Sequence, residues 1–555
     1  MRRLVCLIVM LPIAFVSSMS EGADRGNVRS ALAAAFGMQT GTHESIKCGL
    51  PLITRALTAR NTAQGPTKSS IKQLLTRDER QKQKTAGHFT VHYDTTGGSA
   101  ATMLDALHLP IAGSSDEYAD SVLAIANHVY AVEVGAMGYL PPPSDSTAGG
   151  GPEYDIYVVD LGSEYGETTP ESSLDNKPDG GRCTSYLTID NDFIFVTPIS
   201  ERGLPAARVT IAHEFHHAIQ MGQYGYWTSE PFFYEITSVW METVVYPEVP
   251  DYLNYLNASW SQFKNPSTSF ASDDIIMYSR SIWGTYLTQR FGNSIMREVW
   301  EAIPQGEPLS ANDRALQLHA SSFRDAFAGW TLWNYFTGTR AIAGQYYALA
   351  SLYPTIVSST IELTSALPDQ VFSGSLGPLS ARYYDVTMPS NSAYATVCNL
   401  NTANALSAQR GLFPYSLHLS LNAGDGSYVQ LAGGLFGLLT VSDPANWSLN
   451  GNSVGSVPAE GAAFPNPFLA DGTSSVSLAG KRGGQSGVPG LLKIYDSSLQ
   501  LIYDASLPSV NVRGRTVYVW NGMTSRSTVA ASGVYLFTIE TPTGSTSGKF
   551  ALIRK

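Results

Sequence analysis

Cysteine is nearly absent from this sequence. It occurs four times in 555 residues, and Cys6 falls in an apolar run at the start. The other three, Cys48, Cys183 and Cys398, are far apart and odd in number. That excludes a disulfide framework and a cysteine-rich zinc module, and allows at most one bridge. Excess positive charge is missing too. The chain carries 46 Asp/Glu against 35 Lys/Arg, a net charge of −11, so nucleic acid is excluded as a partner. After the first residues no apolar run is long enough to span a bilayer. No internal repeat occurs, and no serine or cysteine nucleophile motif supports covalent catalysis.

What is present begins with Met-Arg-Arg, then "LVCLIVMLPIAFV", then the small residues "SSMS". A basic start, a short apolar core and a small-residue end predict a signal peptide over 1–20. The protein is therefore expected to be secreted, extracellular or attached to the cell surface. Hydrophobic residues make up 43% of the chain, enough for several globular domains. Between Asp24 and His88 there are 11 Lys/Arg against 4 Asp/Glu. A basic stretch before an acidic body suits a propeptide, 21–87, covering an acidic cleft. "TRDERQKQKTAG" (76–87) reads as an exposed linker open to proteolysis.

From residue 88 the pattern becomes globular. Phe89, Val91 and Tyr93 alternate with polar residues as in a half-buried strand. "EYDIYVVDLG" (153–162) and "SYLTIDNDFIFV" (185–196) also read as strands. Helical spacing appears over 116–138, over the segment from Pro205 to Gly222, and over 229–247, 278–292 and 321–338. After about residue 357, Ser, Thr, Gly, Leu and Val dominate and helical periodicity disappears. Two β regions are expected, 358–455 and 456–555.

The chemistry concentrates in "IAHEFHHAIQ" (211–220). Residues i and i+4 of a helix stand nearly one above the other. His213 and His217 have that spacing, and Glu214 completes His-Glu-x-x-His. Two imidazoles on one face can hold a zinc ion while the glutamate stands over its water as general base. Pairing His213 with His216 would leave Glu214 misplaced, so it ranks lower. A catalytic zinc needs a third protein ligand, commonly a carboxylate. Glu235 lies 18 residues after His217 on the next predicted helix. That spacing resembles the gluzincins, zinc peptidases whose third ligand is a glutamate on the following helix. "EITSVWME" (235–242) resembles the "EGTAxWME" segment of secreted bacterial metallopeptidases.

The resemblance implies Glu235 as the third metal ligand and a mixed α+β, zincin-like catalytic domain over 88–357. Tyr278, in "MYSRSIWGTYLTQRFG", matches the position of the gluzincin oxyanion donor. Glu242 is either a carboxylate orienting a ligand histidine or a core-edge group. Glu230 is a weaker rival to Glu235. Val239 replaces the aspartate of the thermolysin type. "SYLTIDNDFIFV" would be either the edge strand along which substrate lies or a central strand.

"IKCGLPLI" (46–53) resembles the Cys-Gly-x-Pro core of the matrix metalloprotease cysteine switch. Cys48 is thus a candidate thiolate latch on zinc, with a disulfide to Cys183 or Cys398 as the alternative. "DNKPDGG" (175–181) is either a calcium site or a plain acidic loop.

At the C-terminal end, "FPNPF" (464–468), "WNG" (520–522), "SGVY" (532–535) and "GKFALIRK" resemble the type IX secretion sorting domain, with an Ig-like β-sandwich. The loop "MTSRSTVAA" departs from that family's usual Asp and Gly. The resemblances together imply a monomeric secreted zinc endopeptidase acting on proteins or peptides, with the secretion machinery as a further partner. An exopeptidase is less expected, because no "GxMEN" amine-anchoring string occurs. The alternative from another class is a surface adhesin with an inactive peptidase-like domain.

Overall fold

The computed structural model describes residues 25–37, 46–177, 179–362, 364 and 379–387, four strands between 393 and 441, and 460–554 with short gaps. The expected signal peptide lies outside the described residues. Two compact units are present, one ending at Val357 with a return segment ending at Tyr383, the other made of the rest. The first is mixed α/β with a mixed sheet; the second is all-β.

The leader contributes α1 (Arg25–Ala35), β1 (Ile46–Cys48), α2 (Leu50–Ala59) and α3 (Gly65–Leu74). Its three helices close a small apolar core of Val28, Leu32, Leu52, Ile53, Ile71 and Leu74. Next come β2 (Lys82–Ala86), β3 (Phe89–Tyr93), α4 (Ser115–Tyr130), β4 (Tyr154–Val159), β5 (Glu164–Ser173) and β6 (Cys183–Asp190). The helical region holds α5 (Leu204–Ile219), α6 (Pro231–Val245), α7 (Tyr252–Asn257), α8 (Ile282–Phe291), α9 (Ile295–Ala302), α10 (Pro308–Leu318) and α11 (Phe323–Tyr335).

The sheet order is β1-β5-β6-β4-β3-β2. β1 runs parallel to β5, and β5 antiparallel to β6. β6, β4 and β3 are mutually parallel, and β2 closes the far edge antiparallel to β3. The structure decides one open alternative and corrects one expectation. β6 is a central strand, with β5 between it and the leader strand. "TRDERQKQKTAG" is no loose linker. Its residues 82–86 form β2, so the boundary expected at 87/88 falls within the β2–β3 hairpin. Arg77 pairs with Asp145, Asp155 and Glu171. A lysine-rich strand is a soluble way to end a sheet.

α5 crosses the sheet and packs on β5, β6, α4 and α6. Pro205 suits its first turn. Gly166 of β5 permits the close approach. A Cβ there would stand 2.7 Å from Thr210 Cγ2 and 3.2 Å from Glu214 Cγ.

In the second unit, β7 (Ser359–Glu362) pairs parallel with β8 (Tyr384–Thr387). β9 (Ala393–Cys398), β10 (Tyr415–Leu419), β11 (Val429–Gly433) and β12 (Phe436–Val441) form two antiparallel pairs, β9 with β12 and β10 with β11. The chain then builds a two-sheet sandwich. Its strands are β13 (Ala463–Phe464), β14 (Phe468–Ala470), β15 (Val476–Arg482), β16 (Pro489–Tyr495), β17 (Leu501–Pro508), β18 (Val510–Val512), β19 (Arg515–Trp520), β20 (Gly533–Thr541) and β21 (Gly544–Arg554). One sheet runs β13-β15-β19-β18 and the other β14-β21-β20-β16-β17. Leu478, Tyr518 and Trp520 from one sheet meet Ile494, Phe537 and Phe550 from the other.

The C-terminal motifs have local physical reasons. Trp520 Nε1 donates to Met523 O, and Asn521 Oδ1 accepts from Met523 N, which needs Gly522 at φ 80. Asn466 Oδ1 accepts from Ala551 N of the last strand.

Candidate metal centre

The second half of α5 is enclosed on all sides. Every residue from Val209 to Ile219 is buried. Four of them, His213, Glu214, His216 and His217, are ionisable, and such groups are buried only with partners.

His213 and His217 stand one turn apart with their Nε2 atoms at 3.0 Å. α6 passes beside them and delivers Glu235. Its Oε2 lies 3.2 Å from His213 Nε2, and its Oε1 lies 3.6 Å from His217 Nε2. From the leader, Cys48 brings its Sγ to the same point. Ligand atoms of Cys48, His213, His217 and Glu235 all fall within 4.8 Å of one another, and all four residues are buried.

The far sides of both imidazoles are fixed. Glu242 Oε1 lies 2.8 Å from His213 Nδ1. Gln220 Oε1 lies 2.7 Å from His217 Nδ1, while its amide nitrogen donates to Thr237 Oγ1 at 3.0 Å. With Nδ1 donating in each ring, both Nε2 lone pairs face the cluster. Two such acceptors at 3.0 Å need a cation or a proton between them.

The electrostatics agree. Burial disfavours the charged His213, but Glu235 and Glu242 outweigh it and raise its pKa to about 9. Burial would raise Glu235, yet His217 and His213 hold it down at about 2. Burial, with Glu214 and Glu235 alongside, pushes the Cys48 thiol well above its usual value. A bound cation would reverse that shift by supplying the missing positive charge. Two imidazoles, a carboxylate and a thiol are a donor set that suits zinc, with hard oxygen-seeking cations disfavoured by the sulfur.

Glu214 stands beside this group. Its Oε2 accepts from Thr168 Oγ1 of β5 at 2.7 Å, and its Oε1 is buried with no partner. Burial raises its pKa, opposed by His213 and His217. Tyr278 lies on the 3-10 turn Ile275–Arg280, in electrostatic reach of the same cluster. Burial first, then Glu235, Cys48 and Glu214, keep its phenol protonated.

Other candidates are placed elsewhere. His216 faces away and meets Glu133, Nδ1 to Oε2 2.9 Å. Burial raises Glu133 and lowers His216, disfavouring the charged form of each. Glu230 accepts from Leu309 N at 2.7 Å, away from the cluster. Cys48 and Cys183 are both free thiols, so that bridge does not form, and the Cys398 side chain lies outside the described residues. In the acidic loop, Asp175 accepts from Arg182 N and Asp179 from Thr228 N. Their carboxylates serve backbone amides.

With this geometry in view, the comparisons are sparse. Residues 189–347 match a family of unknown function (DUF6055). The match includes His213, Glu214, His217 and Glu235 and leaves out Cys48 and Thr168. No curated protein matches this chain. Two solved structures from Porphyromonas gingivalis show local likeness. PorZ, described as an essential bacterial surface component of the type IX secretion system, is 26% identical over 17% of this chain and 11% of its own, with a TM-score of 0.13. The dimeric latent PorU is 16% identical over 26% of this chain and 12% of its own, with a TM-score of 0.14. This chain thus spans about a tenth of the length of either. Among the described residues no helix is long and apolar enough to cross a membrane.

Sequence reasoning missed Thr168, whose strand has no apolar alternation, and the leader cations Arg29 and Lys47. Their only signal was the local excess of basic residues.

Proposed function

We propose that this chain is a zinc-dependent endopeptidase, exported and held latent by its own leader. One observation carries the reading. His213, His217, Glu235 and Cys48 converge on a single buried point, with the unpartnered Oε1 of Glu214 beside it.

His213, His217 and Glu235 would hold the metal, and Cys48 would close the fourth position in the latent form. A bound zinc ion supplies Lewis acidity, making water a nucleophile near neutral pH and polarising a carbonyl. Glu214 then takes a proton from the attacking water and passes it to the leaving amine. Thr168 fixes one carboxylate oxygen so that the other is free for this exchange. Tyr278 donates to the oxygen that gains negative charge. β5, uncovered once β1 leaves, offers an edge along which an extended peptide can pair. An open edge without an amine-anchoring string favours internal cleavage.

The glutamate on the helix after the histidines supports kinship with gluzincins and a zincin-like first unit. The C-terminal sandwich, built around "PNP", "WNG" and "SGVY", supports an Ig-like sorting domain read by type IX secretion, and hence a cell-surface or extracellular site of action.

The test starts from the full chain. One zinc per chain is expected by elemental analysis, with chelator-sensitive peptide hydrolysis after the leader is cut. Glu214→Gln should keep zinc and lose activity by at least about 100-fold. A zinc-loaded, processed chain that cleaves no peptide, or a fully active Glu214→Gln variant, would sink the assignment.

A further inference from the structure

We propose that the pocket now filled by Lys47 is a side-chain subsite, and that it makes this centre select peptides with a basic residue, Lys or Arg, next to the position acted on. The inference rests on the peptidase reading and adds a substrate class to it.

β1 lies on the sheet as an added peptide strand would. Ile46 pairs with Glu164 and Cys48 with Gly166, secured by Ile46 N to Ser163 O at 2.8 Å and Gly49 N to Gly166 O at 2.9 Å. Neighbouring side chains of a strand leave on opposite sides. Cys48 goes to the metal donors, and Lys47, one residue earlier, goes into a separate pocket.

That pocket belongs to the body of the protein. Lys47 Nζ lies 2.7 Å from Asp251 Oδ2 and 3.0 Å from Glu242 Oε2. It sits 4.6 Å from the centroid of the Tyr165 ring, with Tyr255 on another side at 5.9 Å. Asp251 is fixed without help from the leader. Tyr255 Oη donates to its Oδ2 at 3.1 Å, and Asn254 Nδ2 donates to its Oδ1 at 3.2 Å. Asp251 and Glu242 are both almost fully buried.

Chemistry then restricts the occupant. Two buried carboxylates facing one cation are tolerable only while the cation is there. When the leader departs, the pocket keeps its two carboxylates, now without a cation, its aromatic walls and its place beside the metal donors. A long apolar stem ending in a positive charge satisfies all three. A neutral side chain would leave both carboxylates without a cation. Lys47 is thus the leader's imitation of a substrate side chain, set next to a thiol where a substrate has its reacting bond.

The experiment uses the full chain carrying Lys47→Ala and Cys48→Ala, which empties both positions, with Lys47→Met and Cys48→Ala as a second background should the first not fold. A peptide library is digested by the zinc-loaded protein after the leader is cut. Cleavage beside Lys or Arg is expected to exceed cleavage beside Met or Gln by at least about 30-fold. Adding Asp251→Asn should erase the preference. Cleavage without a basic preference overturns the pocket while leaving the peptidase reading intact. In parallel, a synthetic peptide of residues 43–52 is bound in trans and compared with the same peptide carrying norleucine at position 47. The lysine peptide is expected to bind at least about 30-fold more tightly. Equal binding, or binding of neither, overturns the pocket whatever the activity. Lysine-dependent binding with no cleavage of any peptide supports the pocket and counts against the peptidase reading.

Discussion

Glu242 and His213 are joined across two helices: the carboxylate Oε1 stands 2.8 Å from the imidazole Nδ1. The other oxygen of the same carboxylate receives Lys47 at 3.0 Å. One side chain therefore orients a metal donor and anchors the leader. Replacing it should loosen the ring. Glu242→Gln is expected to weaken zinc binding by about 10- to 100-fold, read by competition with a chromogenic chelator. Unchanged affinity would show that the pairing does not serve the metal.

His216 gives the contrasting case. Its partner is Glu133, outside the cluster. His216→Asn should keep one zinc per chain, whereas His213→Asn and His217→Asn should lose it. The cost in the first case falls on folding, about 1–3 kcal/mol for a buried polar partner left alone. Denaturant titration beside elemental analysis separates the two effects.

Cys48 should respond to the metal. In the zinc-loaded full chain its thiol is expected to resist alkylation, and to react after chelation and mild loosening of the leader. Peptide mapping distinguishes it from Cys183, which is also a free thiol. Cys48→Ser should keep zinc on the three remaining donors. Equal alkylation of Cys48 with and without zinc would exclude the latch.

The leader's other anchor carries a pH dependence. Arg29 Nε donates to Glu164 Oε2 at 3.0 Å, and its guanidinium also pairs with Glu167. One cation shared by two buried carboxylates cannot fully offset burial. Burial raises Glu164 from 4.5 to about 8, against the pull of Arg29. A carboxylate raised on folding binds its proton more tightly in the native state. Its contribution is complete below pH 4.5 and is lost as pH climbs through about 8. The full chain should therefore lose stability between those limits, by an amount on the order of a few kcal/mol. Glu164→Gln should flatten that slope in urea titrations at a series of pH values. A slope unchanged by the substitution would remove Glu164 as its source.

Local chemistry was legible in the sequence. His213, Glu214 and His217 lie within one helical turn, so their relation follows from helix geometry alone. The strands β3, β4 and β6 and the helices α5 and α6 show in their apolar patterns, because each buries a continuous stretch. β5 does not. "EYGETTPESS" has the composition of a loop, and it becomes a strand because β1 and β6 pair on either side of it, with Arg29 on Glu164 and Glu167 and Arg77 on Glu171. β2 is lysine-rich and mostly exposed, so no apolar period marks it. Whether β6 forms an edge or lies centrally stayed open in the sequence for the same reason, since the strand that covers it carries no apolar signal.

The sequence by itself determined the pair of histidines, the glutamate between them and the β-rich C-terminal half, since these depend on residues close together in the chain. Only the tertiary structure decided that Cys48, Thr168, Lys47 and Asp251 belong to the same neighbourhood. Those residues lie far from α5 in the chain; β5 and the start of α7 bring Thr168 and Asp251 there, and the leader strand brings Lys47 and Cys48 to the edge of the sheet that α5 crosses. Burial then fixes their roles, since each charge removed from water must find its partner among whatever the fold brings near.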